Sequence, residues 1–146
     1  MAPRKPCDFN GDGHTDVFFF WRQAGTNRFY YGGAGGAFSE RLNPIAVTSI
    51  NGSPNKVLVG DFDGDAKSDL LFFWGDGTNR FFYGTGIGSF ASVDNPITAG
   101  EINGSPQTVI TLGANRDGRD DLLFWWPAGD LRRMYLGQGN RTFLRE

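Results

Sequence analysis

Two nine-residue segments of this chain carry oxygen-bearing side chains at the spacing of a hard-cation loop. The first is Asp8-Phe9-Asn10-Gly11-Asp12-Gly13-His14-Thr15-Asp16, the second Asp61-Phe62-Asp63-Gly64-Asp65-Ala66-Lys67-Ser68-Asp69. Loop positions 1, 3, 5 and 9 are thus Asp8, Asn10, Asp12 and Asp16 in one, and Asp61, Asp63, Asp65 and Asp69 in the other. Ca2+ takes about six to eight oxygens, and alternation aims these side chains at one centre. The backbone carbonyl at position 7, from His14 or Lys67, adds a further oxygen. Glycine or a small residue at positions 4 and 6 permits the sharp turn. An EF-hand opens in the same way but closes on a glutamate at position 12 between helices. Here position 12 is Phe19 or Phe72, inside a strand-like run, which rejects the EF-hand. A plain Asp/Asn/Gly surface turn is the bland alternative, and the recurrence in register favours metal.

A third segment, Gly113-Ala114-Asn115-Arg116-Asp117-Gly118-Arg119-Asp120-Asp121, has lost the position-1 carboxylate and gained two arginines. Asn115, Asp117, Asp121 and the Arg119 carbonyl remain as a weaker expected site.

Catalytic constellations are missing from the reading. The single histidine, His14, lies inside a metal loop, and the aspartates are committed to the loops. No carboxylate pair is left over as acid and base, and no nucleophile elbow surrounds a serine. The expectation is a binding protein, not an enzyme. Arg28, Arg80 and Arg133 recur with Trp21, Trp74 and Trp126 a few residues upstream. An aromatic face beside a planar donor fork can stack a sugar and bond its hydroxyls. The competing reading is that the tryptophans fill space between sheets and the arginines cover them. Tyr30, Tyr31, Tyr83 and Tyr135 are further candidates with the same alternative.

The elements that position these residues come from a repeat. Ile50-Asn51-Gly52-Ser53-Pro54 returns at Ile102-Asn103-Gly104-Ser105-Pro106, a spacing of 52. Thr26-Asn27-Arg28-Phe29 returns at Thr78-Asn79-Arg80-Phe81, and Asn43-Pro44-Ile45 at Asn95-Pro96-Ile97. The glycine-rich run from Gly84 to Phe90 is echoed at 32–38 and 137–143. Three units follow, with approximate blades at 1–50, 51–102 and 103–146 of a single repeat domain.

Within a unit, Val57–Phe62 and Asp69–Trp74 read as a hairpin around the aspartate loop. Arg80–Gly84 is a third strand, and a fourth is expected between Phe90 and Ile102. No long helix is expected. Alternate residues of Leu70-Leu71-Phe72-Phe73-Trp74 face opposite sides of the sheet, and both sides are apolar. Such a sheet needs a partner on each face, which predicts an all-β fold of β-propeller blades, three tandem four-stranded units of about 52 residues. A linear β-solenoid would have shorter units.

Three blades fall short of the about four to eight of a closed ring. Both ends read as cut within the repeat, so the expectation is homo-oligomer formation, as pairs giving six blades or as more chains in another closed assembly, or a fragment of a longer propeller. The chain of 146 residues carries 22 glycines and 15% aromatic residues, the punctuation of short strands and tight turns. A formal charge of −2 supplies no basic surplus for nucleic acid. No apolar run reaches a membrane span, and the first residues lack the apolar stretch of a signal peptide. Cys7, the one cysteine, can form no internal disulfide.

The pattern D-x-[D/N]-G-D-x-x-x-D-[V/L], leading into an aromatic strand and a Gly-x-Gly-x-x-x-Phe segment, resembles the FG-GAP/VCBS repeats. These occur in integrin α-subunit propellers, integrin-like fungal lectins and many secreted bacterial proteins. The resemblance covers nearly the whole chain and implies propeller blades with a mainly structural calcium in the first hairpin of each. It also implies ligands on the ring face or between blades, and an extracellular or cell-surface setting. Ala66 stands where the family usually has glycine. The readings that result are a calcium-stabilised glycan-binding propeller, a protein-adhesion module, or a structural or engineered fragment that self-assembles without a ligand.

Overall fold

The structure, a computed structural model, describes residues 7–146. The described chain is all-β apart from single helical turns, and its strands form three antiparallel sheets. Sheet one holds β1 (Val17–Trp21), β2 (Thr26–Gly32) and β3 (Phe38–Leu42) in sequence order. Sheet two holds β4 (Lys56–Gly60), β5 (Asp69–Phe73), β6 (Asn79–Gly86) and β7 (Ser89–Asp94). Sheet three holds β8 (Thr108–Leu112), β9 (Asp121–Trp126), β10 (Leu131–Gly137) and β11 (Phe143–Arg145). Each is a meander, in which every strand pairs with the next by a short turn. Four strands per unit is the pattern in sheets two and three. Sheet one has three among the described residues, which begin at Cys7.

The weak fourth-strand signal resolves into two pieces. β7 begins directly after Gly88, and the remainder becomes a helical turn, α2 (Ala99–Ile102), matched by α1 (Val47–Ile50) one unit earlier. Both are single turns, and among the described residues no helix is long and apolar enough to cross a membrane.

The sheets lie face to face, and the apolar runs explain why. All five residues of β5 are buried. Leu70 and Phe72 face sheet one and pack with Phe9 and Phe29. Leu71 and Phe73 face sheet three and pack with Leu122 and Phe124. Two aromatic cores result, one in each gap between sheets. Aromatic pairs in each gap meet mostly edge to face, as at Phe9–Phe29 (5.2 Å) and Phe62–Phe81 (5.3 Å). The three sheets form an open stack consistent with propeller blades.

In the first two units a buried amide ties the turn before a strand to the segment that follows the sheet. Asn79 is fully buried, donates to the Gly77 and Ile97 carbonyls, and accepts from the Ile97 amide. Asn27 repeats this with Gly25 and Ile45. The repeated asparagine is therefore a hub that seats Ile45 or Ile97 in its core.

Candidate metal centre and ligand cleft

The loops join the first two strands of a blade, and their turns are closed by their own oxygens. Asp61 accepts from the Gly64 amide through Oδ1 (2.7 Å) and from the Ala66 amide through Oδ2 (3.0 Å). Asp8 does the same with Gly11 and Gly13. At position 5, Asp12, Asp65 and Asp117 each accept from the amide two residues on, at 2.8, 2.8 and 2.9 Å. This local bonding is what folds an Asp-rich segment inward instead of letting like charges splay.

In the second loop, ligand atoms of Asp61, Asp63 and Asp65 all lie within 4.8 Å of one another. Three converging carboxylates fit a hard oxygen-seeking cation. Their charge is partly offset by Lys67, 3.0 Å from Asp65, and by Arg141, 3.0 Å from Asp63. The first loop places Asp8, Asn10 and Asp12 in the same turn, with Asn10 donating to Asp12. In the third loop the guanidinium of Arg119 reaches Asp117 at 2.6 Å, a fixed cation at the mouth of a site that already lacks its first carboxylate.

Position 9 does more than its spacing announces. Asp69 accepts from the Phe62 amide (2.8 Å) with one oxygen and from the Gly84 amide (3.0 Å) with the other. Asp16 holds Phe9 and Gly32 likewise, and Asp121 holds Ala114 and Gly137. Each ties the start of its loop to the strand after the next turn, β2, β6 or β10. A carboxylate has about four lone-pair directions, so this leaves room for a cation ligand. Burial pushes the Asp69 carboxyl up to about 8, with the charges of Asp63 and Asp61 adding to it. A divalent cation beside it would relieve that strain. Burial likewise raises Asp16.

Adjacent loops are also bonded to each other. The Ser68 amide donates to the Asp8 carbonyl (2.7 Å), and the Asp8 amide donates to Ser68 Oγ (2.9 Å). Asp120 and Asp61 repeat the pair at 2.8 and 2.7 Å. The position-4 glycines lie in this seam at positive φ. A Cβ on Gly11 would sit 3.0 Å from Lys67 Cγ, and one on Gly64 would sit 2.9 Å from Arg119 Cγ.

The tryptophan–arginine pairs are real contacts. The guanidinium carbon lies 6.0 Å from the ring centre for Arg28 over Trp21, and 5.6 Å for both Arg80 over Trp74 and Arg133 over Trp126. Arg80 also donates to the Ser49 carbonyl of the preceding unit (2.5 Å), and Arg133 donates to that of Glu101. These arginines therefore brace neighbouring units. Beside the Arg80–Trp74 pair opens a cleft of about 220 Å³ lined by Thr48, Asn51, Trp74, Asp76, Thr78 and Arg80. Thr48, Asn51, Asp76 and Thr78 carry no ligand signal of their own in the sequence. The available signal is the repeated Asn-Gly-Ser-Pro turn and the Gly75-Asp76-Gly77 turn, whose convergence requires the fold. Tyr31, Tyr83 and Tyr135 are buried, unlike ligand-facing groups; Tyr31 accepts from Gly88 and Tyr135 donates to Glu101. Tyr30 lies on the opposite face of sheet one. The Cys7 thiol is half-buried and its pKa is raised by burial.

Residues 8–72 match the family model described as FG-GAP-like repeat. No curated protein matches the chain.

Proposed function

We propose that this chain, built on an FG-GAP-like repeat, is a non-catalytic binding module whose blades are stapled by calcium and whose inter-blade cleft takes saccharide. The carboxylates of Asp61, Asp63 and Asp65 support the metal half of the reading. Asp69 and the Lys67 carbonyl complete that loop, and Asp8, Asn10, Asp12, Asp16 and the His14 carbonyl form its counterpart. Calcium here neutralises converging charge and holds the first hairpin closed; it has no part in bond making.

One observation carries the ligand half: the cleft at Trp74 and Arg80 joins an indole to a carboxylate, two hydroxyls and an amide. Such a wall offers a C–H stacking surface beside donors and acceptors for hydroxyls. Titration with calcium is expected to find two strong sites per chain, and excess chelator is expected to lower the melting temperature. Unchanged melting in chelator overturns the metal reading. A glycan array with and without calcium is expected to show saccharide binding that Trp74→Ala removes. Silence on the array in both conditions overturns the ligand reading.

A further inference from the structure

The two gaps between sheets are copies of one junction. In the first, Phe20 meets Phe72 at 5.0 Å and Phe29 meets Phe90 at 5.1 Å. In the second, the residues at the same places repeat the pairs, Phe73 with Phe124 at 5.5 Å and Phe81 with Phe143 at 4.8 Å. Each sheet thus has a forward face and a rear face of different composition, and a forward face always receives a rear one.

One of each is left uncovered among the described residues. The rear face of sheet one presents Val17, Phe19, Tyr30 and Phe38, which line an open apolar hollow of about 320 Å³. Pairing in the sheets makes these the equivalents of Leu70, Phe72, Phe82 and Phe90. Phe19 is 49% exposed and Phe38 55%, where Phe72 is fully buried. The forward face of sheet three presents Leu123, Trp125 and Met134, with Ile110 42% exposed and Leu144 56% exposed. These stand where Leu71, Phe73, Phe81, Leu58 and Ala91 stand in sheet two.

We infer that the forward face of sheet three docks on the rear face of sheet one of a second copy of this chain, and that two copies so joined close a six-bladed ring. Three observations select a second copy. First, the two open faces match each other through the internal junction, and neither matches itself. Second, the polar seam is present at both ends. Thr15 occupies the place of Ser68, with a hydroxyl to accept and an amide to donate, and Gly113 offers the amide and carbonyl that Asp8 and Asp61 use. Third, a departure at position 4 of that seam is complementary. Arg116 replaces the position-4 glycine and brings a cation to the side that meets the acidic first loop with Asp8 and Asp12. A head-to-tail contact forms a ring when its rotation closes. Two copies supply six sheets, inside the range of about four to eight for propellers, and three copies would exceed it.

The test is solution mass by light scattering on the whole chain, with Phe19→Glu on the rear face and Ile110→Glu on the forward face. Both side chains are exposed, and circular dichroism checks that each variant folds. The parent is expected at twice 16.1 kDa. Each variant alone is expected at one chain's mass, and an equimolar mixture of the two is expected to recover pairs, since one intact face of each kind remains. A parent at a single chain's mass through tens of micromolar overturns the proposal. So does pairing by either variant alone, which means like faces meet. Mass that grows beyond two copies with concentration overturns ring closure.

Discussion

Asp69 and Asp65 sit in one loop and hold different things. Asp69 is fully buried and its two oxygens fasten the Phe62 and Gly84 amides, so its bonds are needed whether or not an ion is present. Asp65 is exposed; beyond a local turn and the Lys67 ion pair, its remaining use is toward a cation. Asp69→Ala is therefore expected to cost about 3 kcal/mol or more in urea unfolding, in chelator as well as in calcium, because two buried amides lose their acceptor. Asp65→Ala is expected to remove the calcium-dependent part of stability and leave the chelated protein close to its parent. Equal losses for both variants in chelator would refute the separation of roles. The spacing of oxygens was legible because a cation and a tight turn both demand carboxylates there. The second duty of position 9 was not legible, since a ligand and an amide clamp call for the same side chain.

At the scale of the strand, alternation told which residues share a face but not which face meets what. That is why β5 is readable as doubly covered, while Tyr31, Tyr83 and Tyr135, equally plausible from sequence as ligand contacts, lie in the cores. Two residues of opposite parity differ by a whole sheet thickness in their surroundings. The fourth strand was faint for a related reason: it is an outer strand, and β3 is exposed along its whole length, so it needs little apolar patterning. Close approach between units is seen at Gly84, where a Cβ would lie 2.5 Å from the Phe9 carbonyl oxygen and 2.7 Å from that of Ser68. Those are backbone atoms of two units and cannot swing aside. Gly84→Ala is expected to lower stability by about 1–3 kcal/mol by prying the first two sheets apart. Denaturant titration with tryptophan emission as the probe measures it, and a change below about 0.5 kcal/mol would contradict the contact.

For the whole molecule, stability of a single chain, as in the Phe19→Glu variant, is graded from the middle outward, because within one chain only sheet two is sandwiched. Hydrogen exchange is expected to be slowest at the amides of β5 and β6 and fastest in β3, since buried contacts govern local opening. Uniform protection across the three sheets would show that the stack does not behave as a chain of neighbouring contacts. The repeat was readable from sequence at this scale because identical turns recur at 52 residues. The direction of stacking was not, because it depends on which parity faces forward. That directionality has a genetic corollary. A blade whose front fits its own back is a modular block: an in-frame duplication of about 52 codons lengthens the array and leaves every seam chemically unchanged. Blade number can therefore drift by whole units, held in check by curvature alone, whereas a partial unit would bring two fronts or two backs together and be lost.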